Sequence, residues 1–123
     1  MTKYILLYGR FPAGCEGKLY GVSIKNPNGT YAVWINTEMD EAIQAHALRH
    51  ELAHLVLEHL EQEDPETEEA YQERERITNE YADNMTTGEL EYLLSFCTQK
   101  KEVPESFIAN FDERYTRGEI ASM

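Results

Sequence analysis

An uninterrupted aromatic and aliphatic run, Tyr4-Ile5-Leu6-Leu7-Tyr8, begins the chain's pattern and is stopped by Gly9 and Pro12. A run of that length and composition predicts a buried strand. Gly9, Pro12, Gly14 and Gly17 then give the stretch to Lys18 the composition of a loop. A second strand is expected from Leu19 to Lys25, followed by a turn at Asn26-Pro27-Asn28-Gly29, where proline presets one dihedral and Asn-Gly tolerates positive φ. Thr30 to Asn36 is again β-branched and aromatic. The last two strands read as a hairpin, and with residues 4 to 8 they make a small antiparallel sheet.

The period changes after Asn36. Thr37, with Asp40 three residues on, has the form of a capping box with Asp in place of Glu. Ile43, Ala47, Leu48, Leu52, Leu55 and Val56 then recur at helical spacing, which predicts one long helix over Asp40 to Leu60. Glu58 to Glu75 holds nine acids against a single Arg, with Pro65 in the middle, and reads as a solvated surface connection rather than a site. A second helix is expected from Thr67 to about Thr86, with Gly88 permitting a break. A third covers Glu89 to Phe96. Phe107, Ile108, Phe111 and Tyr115 have the spacing of a last amphipathic helix ending at Gly118. No internal repeat is visible. The pattern as a whole predicts an α+β fold: a small antiparallel three-stranded sheet packed on the long helix and further helices, in a single domain over residues 1–123.

Composition narrows the partners. The chain has 23 Asp and Glu against 11 Lys and Arg, a formal net charge of −12, which is the wrong sign for a surface that tracks nucleic-acid phosphates or anionic lipid. The first apolar run is too short for a signal-peptide core, and no run reaches the roughly 18 residues of a spanning helix. A cytoplasmic protein is therefore expected. Cys15 and Cys97 read as free thiols, and two cysteines are too few for a cysteine-rich zinc site.

The chemistry concentrates in His50-Glu51-Leu52-Ala53-His54. Positions four apart share a helix face, so both imidazoles can address one metal ion, and Glu51 can stand over a metal-bound water as general base. The four histidines, His46, His50, His54 and His59, all lie in the first helix, so the third ligand must be Asp, Glu or Cys. The second helix offers Glu80 as that ligand and Asn84, on the same face, as an outer partner. Asn84 or Asp83 could accept the free ring N–H of a ligating histidine. Asp83 is the alternative ligand. His46 lies about 40° from His50 on the wheel and is either an outer or substrate-facing group or an ordinary polar residue. His59, about 140° from His54, reads as a C-terminal helix residue.

His50-Glu51-Leu52-Ala53-His54, with Glu80-Tyr81-Ala82-Asp83-Asn84 on the next helix, resembles the gluzincin-type ImmA/IrrE metallopeptidases, whose pattern is HExxH followed by E-x-x-A-N or E-x-x-A-D. The strand from Tyr31 to Asn36 just before the motif fits the same family. The resemblance covers about residues 30 to 97. It implies a minimal zincin-like fold, zinc held by His50, His54 and Glu80, and Glu51 as catalytic base. Asp83 and Thr86-Thr87 depart from the pattern, and matching Ala82-Asp83 to the family's Ala-Asp would instead put Asn79 at the ligand position.

The function expected is that of a zinc-dependent endopeptidase acting on a protein or peptide, which the resemblance suggests is a repressor or other regulatory protein. The strand Thr30 to Asn36 could hold an extended substrate along an exposed edge. Tyr81 and Tyr115 are the weak candidates for stabilising an oxyanion. Deformylase-type chemistry, with Cys15 completing the site, lacks that family's other motif. A non-catalytic zinc-containing module that sequesters a partner protein is the competing class.

Overall fold

The computed structural model describes residues 2–12 and 19–100, and from the C-terminal stretch residues 103, 105, 108 and 109. Its order is β1 (Tyr4–Gly9), β2 (Gly21–Lys25), β3 (Tyr31–Asn36), α1 (Glu41–Val56), a 3-10 turn at His59–Glu61, α2 (Glu68–Asn84), α3 (Thr87–Leu94) and β4 (Cys97–Lys100). The mixed α and β character matches the expectation, but the sheet does not. It has four strands in the order β2-β3-β1-β4, with β1 parallel to both neighbours and only β2 and β3 antiparallel. The hairpin at Asn26–Gly29 is as expected, with Gly29 at φ +86°.

The topology has a physical reason. A strand apolar on both faces is stable only with neighbours on each side and a covering layer on each face. In β1, Tyr4 and Leu6 join the cluster formed with Val33, Ile35, Ala47, Leu48 and Leu52, while Leu7 points to the opposite cluster with Phe11, Leu19, Val22, Ile24 and Trp34. β1 is therefore central. β4 was hidden because Cys97-Thr98-Gln99-Lys100 is mostly exposed and lacks the apolar alternation that marks a strand. It takes the sheet edge beside β1.

β3 is likewise central, paired with β1 on one side and β2 on the other, so the strand expected to offer a free edge has none. Asn36 at its end is fully buried, donating to Leu19 O at 2.9 Å and accepting from Glu38 N at 3.0 Å. That bond ties the chain's entry into α1 to the sheet.

Asp40, not Thr37, caps α1, its carboxylate accepting from Ile43 N at 2.9 Å. The helix ends at Val56, short of the expected Leu60, because Glu58 turns left-handed at φ 58°, ψ 32° and throws the next residues into the 3-10 turn. α2 starts at the expected Thr67, whose hydroxyl accepts from Ala70 N, but it ends at Asn84. Thr86 caps α3, and Gly88 lies inside that helix rather than at the break. Of the last predicted helix, Ile108 and Ala109 are helical; the rest of it, with Phe107 and Tyr115, lies outside the described residues, as does Cys15. No helix among the described residues is long and apolar enough to cross a membrane.

Candidate metal centre

α1 lies between the sheet and α2, and the contact between the two helices converges on one point. His50 and His54, one turn apart on α1, meet Glu75 from α2, and one ligand atom from each lies within 4.8 Å of the others. The Nε2 atoms of the two histidines are 3.1 Å apart. Glu75 reaches His50 Nε2 at 3.3 Å and His54 Nε2 at 3.6 Å. A tetrahedral ion with bonds of about 2.0–2.1 Å sets its ligand atoms about 3.3 Å apart. The 3.1 Å between the two Nε2 atoms and the 3.3 Å from His50 Nε2 to Glu75 Oε2 lie close to that edge, while His54 Nε2 faces the other oxygen, Oε1, at 3.6 Å.

The other ring nitrogens are already engaged. His50 Nδ1 is 2.8 Å from Asn79 Oδ1, and His54 Nδ1 is 2.8 Å from His59 Nδ1. An amide oxygen only accepts, so His50 carries its hydrogen on Nδ1 and turns a lone pair inward at Nε2. Two imidazole lone pairs and a carboxylate pointed at one another repel unless a positive charge lies among them. Without a metal a proton can take that place. Burial pulls the His50 pKa down, but the Glu75 hydrogen bond and the charges of Glu51 and Glu75 outweigh it and leave the pKa raised. His54 is pushed down to about 4, by burial and then by the charge on His50. The bond from His50 lowers the Glu75 pKa, against the effect of burial. Burial and Arg74 lower that of His59. The cluster thus holds one proton on His50 more readily than a second on His54. Its donor set, two nitrogens and a carboxylate, fits a divalent cation such as zinc.

Glu51 is enclosed between α1 and β2, only 3 % exposed. Burial lifts its carboxyl to about 7, with His50 and a hydrogen bond from Ser23 pulling it back. Gly21 and Ser23 lie on the face of β2 that meets α1. A Cβ at Gly21 would stand 3.3 Å from Glu51 Cγ and 3.2 Å from Ile35 Cδ1, so the glycine is what lets the strand pass this close. Tyr71 is one turn before Glu75 on the same face of α2. Burial, then the charges of Glu75, Glu68 and Glu51, raise its phenol pKa.

The structure brings His50 and His54 together beside Glu75, with Glu51 near enough to feel the charges of His50 and Glu75, and it does not bring Glu80. Glu80 sits on the solvent side of α2, its side chain 65 % exposed and bonded to Arg76 at 3.0 Å. From Glu75 to Glu80 is five residues, about 140° around the helix. The buried stripe of α2 runs through Thr78 and Ala82, three and seven positions after Glu75, so the face that meets α1 carries Glu75 and turns Glu80 outward. Asp83 and Asn84 are also exposed, and Asn84 donates to Glu80 O. His46 is exposed, its ring 6.3 Å from that of His50. Tyr81 bonds Glu89.

The closeness of Glu75 to the two histidines was hidden in the sequence because Glu75 closes an acidic run and was counted with the solvated residues. Following the small buried positions of α2 backward from Ala82 would have found it. Asn79, the position reached by the alternative register, does face the site, but as the partner of His50. A cavity of about 350 Å³ opens beside His54, walled by Tyr31, Leu55, Tyr81 and Leu93 and edged by Glu58 and Glu89.

The family model described as the IrrE N-terminal-like domain, Peptidase_M78, matches residues 15–115. Neither a curated protein nor a solved structure matches the chain.

Proposed function

Because the chain belongs to the IrrE N-terminal-like (Peptidase_M78) family, whose name is that of a peptidase family, we propose that it is a zinc-dependent endopeptidase whose metal is held by His50, His54 and Glu75. The observation that carries this reading is the convergence of both Nε2 atoms and the Glu75 carboxylate at separations of 3.1, 3.3 and 3.6 Å. Glu80, expected from the sequence as the third ligand, has no part in it.

A zinc ion in that position supplies Lewis acidity, polarising a carbonyl and acidifying water. The chain's own residues do the rest. Glu51, buried beside His50, is the carboxylate that takes a proton from water and returns it to the leaving amine. Tyr71, one turn before Glu75 on the same face of α2, is the phenol this reading assigns to donate to a developing oxyanion. The substrate is a peptide segment: β2 is an outer strand of the sheet and lies over Glu51, so an extended chain pairing along it comes beside the catalytic carboxylate. The cavity next to His54 has room for a side chain of that segment.

Cleavage of an unfolded protein such as casein by the zinc-loaded chain, compared with Glu51→Gln, tests the proposal. Zinc content equal in both, with hydrolysis only in the wild type, is the expected result. Equal hydrolysis by both refutes the role of Glu51. A module that sequesters a partner would hold its target without cleaving it and keep that hold in Glu51→Gln.

A further inference from the structure

We infer that Asn79 and His59 are the positioning residues of the metal centre, one fixing each histidine ligand through its Nδ1. The inference rests on the metal reading above and deepens it. The contacts form a line: Asn79 Oδ1 to His50 Nδ1 at 2.8 Å, His50 Nε2 to His54 Nε2 at 3.1 Å, and His54 Nδ1 to His59 Nδ1 at 2.8 Å. Two imidazoles that must both turn Nε2 lone pairs to one ion need acceptors behind them at Nδ1, and the structure supplies one for each. Asn79 accepts from His50 through its amide oxygen. His59 accepts from His54 with the lone pair on its Nδ1 and keeps its own hydrogen on Nε2.

Each partner arrives by a separate backbone device. Asn79 follows Glu75 by four residues on α2, so one face of that helix brings a ligand to the inner side of His50 and an acceptor to its outer side. His59 could not reach His54 if α1 continued, since five helical residues separate their directions by about 140°. The helix instead stops at Val56, and Glu58 takes left-handed dihedrals, the only non-glycine with positive φ among the described residues. A side chain rarely adopts that conformation unless its surroundings require it. Here the turn folds His59 back onto His54, with ring centroids 5.1 Å apart.

The test is zinc affinity of the full chain, measured by competition with a chromophoric chelator, together with the visible spectrum of the cobalt-substituted protein. Asn79→Ala and His59→Ala each weaken zinc about 10- to 100-fold, while the cobalt spectrum keeps the band positions of the wild type because no ligand is lost. Glu75→Gln changes that spectrum. Asn79→Asp and His59→Gln, which can still accept at the same place, recover most of the affinity. Thermal midpoints of the metal-free alanine variants equal to the wild type separate positioning from a general loss of structure. Alanine variants that bind zinc within twofold of the wild type overturn the inference and leave the metal reading standing, as does a loss of affinity matched by collapse of the metal-free fold. A wild-type chain that binds no zinc overturns both.

Discussion

Burying the Glu51 carboxyl costs the metal-free fold stability near neutral pH. Burial lifts that carboxyl from 4.5 to about 7, so the folded state holds this proton more tightly than the unfolded state. Folding stability therefore falls as pH rises from the unfolded value through about 7 and levels off beyond it. Glu51→Gln removes the titration. Denaturant unfolding of the metal-free variant at pH 8 should show it more stable than the wild type, by up to about 3 kcal/mol for a shift of this size, with the difference gone at pH 4. Tyr71 is the other residue whose role rests on its surroundings. Tyr71→Phe should leave zinc content unchanged and lower kcat on the order of 100-fold, the typical loss when one oxyanion donor is removed. An unchanged kcat would assign the phenol to packing.

Elements explain why some of this was legible and some was not. The strands at residues 4, 21 and 31, the start of α2 at Thr67 and the HExxH face of α1 follow from local signals: apolar runs, a capping threonine and four-residue spacing. The parallel pairing of β1 with β3 does not, because it depends on β1 being covered on both faces by segments far along the chain. β4 has no apolar pattern, and the end of α1 depends on one left-handed residue that spacing cannot register. Which acid of α2 lies beside the two histidines was illegible for a similar reason. Glu75 and Glu80 are both acids on one helix, and only the docking of α2 on α1 decides which faces inward. The closeness of β2 to α1 makes a prediction at the same scale. Gly21→Ala puts a Cβ 3.3 Å from Glu51 Cγ, and displacing that carboxylate by a few tenths of an ångström should lower kcat about tenfold with metal content unchanged. Steady-state kinetics beside metal analysis would show it.

For the molecule as a whole, a metal held by His50, His54 and Glu75 would clamp together two helices joined by the acidic stretch from Glu58 to Thr67. A ligand that binds only the folded state adds stability with its concentration, about 4 kcal/mol at a thousand times its Kd. Zinc should therefore raise the thermal midpoint and a chelator lower it. The chain's net charge of −12 draws in cations generally, so a shift in midpoint alone does not identify the centre; the ligands do. The most direct measurement is zinc bound per chain after dialysis, in wild type, Glu75→Gln and Glu80→Gln. One ion per chain in the wild type and in Glu80→Gln, with loss in Glu75→Gln, is the predicted result. Zinc kept by Glu75→Gln and lost by Glu80→Gln would contradict the centre described.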